Sequence, residues 1–513
     1  MQRDAVSGSE PVVTPSSSRL AVRRAVLPVA LVGVVLLLVQ PASVTPGDPT
    51  AVRLEARYLV RHGTWGIPFA DREFAAPALP PRARPGQYLF ENAVRQRYFS
   101  RWGVFTSLLF APPLLVAGER DAMGQLVALN LYNLAWSLVL ATGLALWLAR
   151  HASRWWTHAL VLLATLLGTH ALFYLRAQTS EVIQMALFTW SALLFHDVRA
   201  GMVRGQGGVT VYLRVGVLGS LLGALFLLKV YFLPLLFLAP LLLWWPARTS
   251  SPRQAAGLLA TGLSLALAFV ALRVAANVFQ FNDPWDPGIG APEPGAGAGY
   301  VSTGWMAGCM ASFVAGAHGS LFLHAPVALV ALLGLVSLFR RDQVEAVFVT
   351  APVVLVAVVT STAENCLGEW SHGPRYLVPV VPLLALPALV AVERALETHR
   401  HGVRTLPAAL GVVALLGGGW MQLQMLRHAP FAYYQLRAEL ERVRSEAPTA
   451  APYFRGLPQA WVMRDLDGLC RGDGGGHLAE VVSGLPGARQ EQVGSMLGPV
   501  CRSDLLLARL TRR

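Results

Sequence analysis

Lys229 is the only lysine among the 42 basic residues of the 513-residue chain, and it stands inside an apolar run, GALFLLKVYFLPLL, at residues 223–236. An ammonium in that setting does one of two things. It snorkels from a helix end toward the headgroups, or it holds an anion as a compact point charge. Arginine fills every other basic position, so drift in composition does not account for this lysine. Other groups with chemical potential accompany it. Asp48 lies in GDPTAVRLEARYLVRHG, Arg176 and Glu181 flank the turn in YLRAQTSEV, and Glu364, Glu369, His372, Arg375 and Tyr376 crowd into ENCLGEWSHGPRYLVPVVP. Ammonium and guanidinium groups bind phosphate well, the second in a two-pronged fashion. A neighbouring carboxylate can take up a proton. The combination suits work on an anionic lipid headgroup.

What must position these groups is a membrane domain. The chain is 54% hydrophobic and 14% charged, with a mean hydropathy of +0.49, whereas soluble domains carry about a quarter charged residues. The net charge of +13 reads as a sum of cytoplasmic arginines, and no nucleic-acid-binding motif is present. Apolar segments of spanning length fall near 25–44, 125–149, 156–175, 182–196, 215–245, 255–279, 321–339, 344–362, 375–392 and 405–424. Arginines cluster at 150–154, 199–204, 248–253, 340–341 and 394–404, and are nearly absent from 280–320 and 363–374. If every cluster is cytoplasmic, each segment between two clusters crosses an even number of times. The run 215–245 would reach about 46 Å as one helix against a hydrocarbon core of about 30 Å. Parity makes it two short helices, with a break suited to Pro234 and Lys229 at the outer tip. The double-proline piece 103–117 becomes interfacial or re-entrant.

The expected architecture is an all-α polytopic membrane protein of about eleven transmembrane helices. It has a cytoplasmic tail (1–24), a membrane domain (25–424) with outer loops at 45–124 and 280–320, and a small outer C-terminal domain (425–513). This places Asp48, Arg176, Glu181, Lys229, Glu369, His372, Arg375 and Tyr376 at one membrane edge. Transport paths more often keep such groups at the midplane, in paired broken helices.

Several other features are expected to be structural. The stretch RLEARYLVRHG at 53–63 reads as an amphipathic helix lying on the membrane, with Leu54, Tyr58 and Leu59 on one face and Arg53, Arg57 and Arg61 on another. His151, His158 and His170 show no ligand spacing with carboxylates. GDGGG at 472–476 has no strand before it or helix after it, so it is a connection and not a phosphate loop. The four cysteines, Cys309, Cys366, Cys470 and Cys501, form no metal-binding spacing. A Cys470–Cys501 bridge is open if the tail faces an oxidising compartment.

Four stretches together resemble the GT-C superfamily of polytopic glycosyltransferases, in particular bacterial members related to the protein mannosyltransferases. They are GDPTAVRLEARYLVRHG, RYFSRWGVFTSLLFAPPLLVAG, GSLLGALFLLKVYFLPLLFLAPLLL, and the pair FVAGAHGSLFLHAPVALVALLGL and EWSHGPRYLVPVVPLLAL. They span residues 25 to about 395. The resemblance implies a hexosyl- or pentosyltransferase of the bacterial inner membrane. It would use a polyprenyl-phosphate-sugar donor and a glycan, lipid or protein acceptor, with its site on the periplasmic or exterior side. It implies that Asp48 is a general base for the acceptor. Lys229 and Arg375, with His372 and Tyr376 beside them, would hold the lipid phosphate. Many relatives carry two adjacent acidic residues where Asp48 is followed by Pro49, which leaves Glu55 or an acidic residue of 283–293 as the second group. No cofactor or metal is expected. The rival readings are a transporter or flippase of polyprenyl-linked glycans, which would be indifferent to Asp48, and a membrane scaffold.

Overall fold

The computed structural model describes residues 18–43, 45, 48–76, 89–118, 120–203, 208–250, 252–285, 303–316, 319–363, 366–367, 372–398, 416–424 and 426, with eight single positions of the tail. The fold is dominated by helices: α1 (Ser18–Leu38), α2 (Asp48–His62), α3 (Arg72–Ala75), α4 (Val104–Ala117), α5 (Ala122–His151), α6 (Trp155–Leu167), α7 (Ala171–Arg176) and α8 (Glu181–Val203). They continue with α9 (Val209–Leu228), α10 (Leu233–Ser250), α11 (Pro252–Phe281), α12 (Thr303–Ala315), α13 (Leu321–His324), α14 (Val327–Arg341), α15 (Gln343–Ser361) and α16 (Ala385–Thr398). Long Leu/Val/Ala runs become helices because a backbone in hydrocarbon must satisfy its own polar groups.

Among the described residues, five helical stretches are long and apolar enough to cross a membrane: α5, α9, α11, α15 and Arg375–Glu397. The last begins as a 3-10 helix over Arg375–Leu384, where Pro379 and Pro382 lie inside the helix. Proline removes an α-helical donor and clashes with the preceding turn, which favours the tighter winding. The double-proline segment is α4, 14 residues long and so about 21 Å, short of the core thickness. One hydrophobic core runs through the bundle, with Trp147, Tyr174, Phe188, Phe195 and Phe232 almost wholly buried.

The first long loop is not all helix. It holds a three-stranded antiparallel sheet, β1 (Ile67–Pro68), β2 (Leu89–Asn92) and β3 (Arg97–Ser100), in the order β1-β3-β2. Leu89 pairs with Ser100 and Asn92 with Arg97. Strands of two to four residues are too short for a hydropathy pattern to announce. The pleat sends Tyr98 toward Phe69, at 4.6 Å between ring centres, and Phe99 toward Phe279 of α11, at 5.6 Å.

Helix α2 packs within the protein on one side and leaves Leu54 and Leu59 half-buried. Its buried face is Ala51, Val52, Glu55, Ala56 and Tyr58. Ala51 and Tyr58 pack on the sheet with Ile67 and Leu89. Val52 and Ala56 pack on Phe110 and Leu114 of α4. The small residues let α2 sit between sheet and helix. Two disulfides are formed, Cys470–Cys501 and Cys309–Cys366.

Candidate functional site

The site begins where α9 stops. Lys229 is extended (φ −146°, ψ 117°), its N–H donates to the Leu225 carbonyl at 2.9 Å, and a 3-10 turn over Val230–Phe232 leads into α10. The break thus falls at the lysine itself. Pro234 is the second residue of α10, a position where a missing N–H costs nothing. A helix that ends inside a bundle leaves carbonyls without i+4 donors. Arg273 of α11, 5% exposed, answers this by donating to the Leu227 carbonyl at 2.9 Å.

Beside the break lies the first residue of α8. Arg375 Nε donates to Glu181 Oε1 at 2.6 Å, with side-chain exposures of 14% and 5%. The charges of both Arg375 and Lys229 act on this carboxylate. Tyr231, two residues past the lysine, places its ring 6.1 Å from that of Tyr376, and its phenol feels Glu181, Tyr376 and Arg375. Lys229, Glu181, Arg375 and Tyr376, predicted separately from the sequence, therefore meet, with Tyr231 added.

Arg375 is aimed by the turn before it. Its N–H donates to the Leu367 carbonyl at 3.1 Å, and Cys366 next to Leu367 is bridged to Cys309 on α12. His372 is fully buried, its ring edge-on to His324 at 5.1 Å and 5.8 Å from Phe173. Tyr174 Oη donates to the His372 carbonyl at 3.1 Å. Gly373 then takes φ +66°, and a Cβ there would meet His324 Cγ at 3.0 Å. Only glycine turns the chain this closely past the histidines. His372 thus orients the turn that presents Arg375 and Tyr376.

A second frame holds the connection from α1 to α2, which carries Asp48. Gln178 Oε1 accepts from the Thr45 N–H at 2.8 Å and from its hydroxyl at 2.9 Å, while Gln178 Nε2 donates to Asn130 Oδ1 at 2.6 Å. Asn130 in turn donates to the Pro41 carbonyl at 3.0 Å. Arg176, 2% exposed, commits its Nε to the Val39 carbonyl, and Arg53 reaches the Thr45 carbonyl, both at 2.5 Å. Leu505 of the tail forms a β-bridge with Pro41. Asp48 opens α2 three residues beyond Thr45. Its side chain, like Glu364 and Glu369, lies outside the described residues.

Glu55, the alternative acid, is occupied elsewhere. It accepts from Ser107 Oγ at 2.6 Å and from the Ser100 N–H at 3.2 Å, joining α2 to α4 and β3. Burial pushes its carboxyl up to about 7. The sequence reading missed Gln178, Asn130, Thr45, Tyr231 and Arg273. A signal existed for two of them: Asn130 and Arg273 are polar residues inside otherwise apolar spans, where such groups mark interior contacts. Among the described residues, the group of side chains suited to hold a metal ion is His151, His196 and Glu345, which lies at the arginine-rich end and not here.

No family model matches the sequence, and no characterised protein matches it in sequence. Similar solved structures include the archaeal oligosaccharyltransferase AglB from Archaeoglobus fulgidus in complex with an inhibitory peptide and a dolichol-phosphate. That likeness has 10% identity and a TM-score of 0.48, covering 85% of this chain and 59% of that one. ArnT from Cupriavidus metallidurans in the apo state gives 15% identity and a TM-score of 0.46, covering 88% and 79%. ArnT bound to undecaprenyl phosphate gives 14% and 0.43, covering 94% and 78%. The chain thus spans about three fifths of the length of the oligosaccharyltransferase it is similar to. At TM-scores below 0.5, these likenesses assign no function to it.

Proposed function

We propose that this chain is a membrane glycosyltransferase of GT-C type. It moves a hexosyl or pentosyl group from a polyprenyl-phosphate carrier to a glycan, lipid or protein acceptor at the outer face of a bacterial inner membrane. The observation that carries this reading is the convergence of Lys229 and Arg375 on one buried carboxylate, Glu181, where α9 breaks and α8 begins. Cations gathered at a membrane edge fit a lipid phosphate. Glu181 orients the Arg375 guanidinium and balances its charge before the anionic headgroup arrives. The polar groups come from helix breaks, as they must if a substrate is to reach the backbone level of the bundle.

In the proposed reaction the acceptor hydroxyl attacks the anomeric carbon and gives its proton to Asp48 as general base. The bond from that carbon to the phosphate oxygen breaks, and the electron pair leaves with the polyprenyl phosphate. Lys229 as a point charge and Arg375 as a directional donor stabilise the departing phosphate, and Tyr376 lines the same pocket. A single displacement inverts the anomeric centre. Cys309, Cys366, Cys470 and Cys501 all fall in segments that arginine parity puts outside, and two disulfides among them fit an oxidising compartment on that side.

The test is binding of a polyprenyl phosphate to the purified protein, wild type against Lys229→Ala. A charged hydrogen bond contributes about 1.5–3 kcal/mol, so its loss should weaken binding about tenfold or more. Unchanged, saturable binding would reduce Lys229 to a snorkelling residue. No binding by either protein would overturn the reading.

A further inference from the structure

We propose that His151, His196 and Glu345 form a binding site for one divalent transition-metal ion of the zinc class. The site joins three helices at the end of the bundle opposite the candidate active site. His151 is the last residue of α5, His196 lies in the second half of α8, and Glu345 sits in the first turn of α15. Fifteen residues of α8 separate Glu181 from His196, about 22 Å along the helix axis. The two centres do not share a ligand.

Three observations carry the assignment. The first is spacing. His151 Nε2 lies 3.1 Å from Glu345 Oε1, and His196 Nδ1 lies 3.2 Å from Glu345 Oε2. The potential ligand atoms of all three residues fall within 4.8 Å of one another. Zinc bonds of about 2.0–2.1 Å in a tetrahedron put neighbouring ligand atoms about 3.3 Å apart, whereas a charge-assisted N–H to carboxylate bond closes to about 2.7–2.9 Å. The second is direction. His151 Nε2 is buried and lies 3.1 Å from Glu345 Oε1 without the alignment of a well-formed hydrogen bond; its side chain is 6% exposed. His196 Nδ1 stands 3.2 Å from both carboxylate oxygens and so is not aimed at one lone pair. Both nitrogens face the one carboxylate, within the spacing that a shared ion would hold.

The third observation is support. The Asp342 side chain accepts from the Glu345 N–H at 3.0 Å and fixes the start of α15. Phe195 stacks on Phe348 with ring centres 3.9 Å apart, which locks the register of α8 against α15. Trp147 Nε1 approaches Glu345 Oε1 at 3.5 Å from the turn before His151. The nearby cations are already engaged: Arg199 pairs with Asp342 at 2.9 Å and stands 4.0 Å from Glu345, and Arg150 pairs with Asp197 at 3.3 Å. Arg341 also acts on His151. Two imidazoles and one carboxylate suit zinc, cobalt or nickel over calcium or magnesium. They leave one coordination position for water, and His196, with a side chain 23% exposed, is the most open of the three ligands.

The experiment uses the full chain, free of any histidine tag, in detergent, stripped with a chelator and titrated with cobalt(II). The wild type should take up one equivalent with the visible absorption of four-coordinate cobalt, and zinc should displace it. His196→Ala removes a ligand from the most exposed of the three positions and should bind at least about 100-fold more weakly, since loss of an outer-shell partner alone costs about 10–100-fold. Adding chelator should lower the melting temperature of the wild type and leave that of His196→Ala unchanged. Glu345→Gln provides a second variant with nearly the same shape. Equal uptake by wild type and variants, or uptake by none, would overturn the proposal and leave a hydrogen-bonded His–Glu cluster.

Discussion

The two ends of α8 are organised by different means. At Glu181 the neighbouring elements are interrupted: α9 stops at Lys229, a 3-10 helix starts at Arg375, and the segment after α1 is clamped by Gln178. At His196 α8 runs on, while α5 ends at His151 and α15 begins two residues before Glu345, and the side chains meet because the three helices pack side by side, with Phe195 stacked on Phe348. The first end is fixed by side chains donating to or accepting from distant backbone, such as Arg176 to Val39 and Tyr174 to His372. The second is fixed by helix packing. Breaks like those at the first end expose backbone and polar groups to a substrate; the packed helix ends at the second turn polar groups toward each other. That contrast explains why lipid chemistry is assigned to one end and an ion to the other.

The contrast can be sharpened or broken by substitution. The largest effect is expected from Asp48→Asn. Sugar transfer should fall by about 10²–10⁴-fold while polyprenyl-phosphate binding persists; loss of binding as well would make Asp48 part of the carrier pocket. Next, Arg375→Ala leaves buried Glu181 with only the Lys229 charge to balance it and should cost up to about 3–5 kcal/mol in thermal or denaturant unfolding. Adding Glu181→Gln should return part of that. Equal stability of the single and double variants would mean that this ion pair does not fix its end of the bundle.

Glu55 gives a smaller, pH-dependent effect. Its carboxyl is raised by burial from the usual 4.5 to about 7, so the folded state favours the neutral form. The stability it contributes is present below about 4.5 and is lost as the pH rises through about 7, with an upper bound of about 3 kcal/mol. The protection of α2 amides, taken relative to the intrinsic exchange rate at each pH, should therefore fall between about pH 5 and 8, and Glu55→Gln should flatten that profile. A wild-type profile as flat as the variant's would remove Glu55 from the α2–α4 contact. The smallest effect is expected at the other end. The Arg199–Asp342 pair, 17% and 28% exposed, should contribute no more than about 1 kcal/mol, so Arg199→Ala should barely move the melting temperature. A shift as large as that of Arg375→Ala would erase the difference between the two ends.

Much of the helical scaffold was legible because apolar runs in a bilayer have few alternatives to helix. Arginine parity also brought Glu181, Lys229 and Arg375 to one edge before any contact was known. The pairing of Arg375 with Glu181 was not legible, since the partners are 194 residues apart and any of several carboxylates would have served. The sheet in the first long loop escaped because its strands are shorter than one period of reliable alternation. The Cys309–Cys366 bridge has no local spacing to betray it. The His151–His196–Glu345 cluster escaped for the same reason: His196 and Glu345 are 149 residues apart, and only helix packing joins them. The side chains of Asp48 and Glu369 lie outside the described residues, so their assignment still rests on the sequence.

The half-buried lysine at the α9 break has a practical consequence. As the only ε-amine in the chain, it makes an unselective acylating reagent selective. A lysine-directed protease has one peptide bond to cut, and one added mass in the fragment that contains residue 229 reports a single event. If Lys229 holds the carrier phosphate as proposed, the rate of that acylation is a clock for occupancy, slow when the anion covers the amine and fast when it leaves.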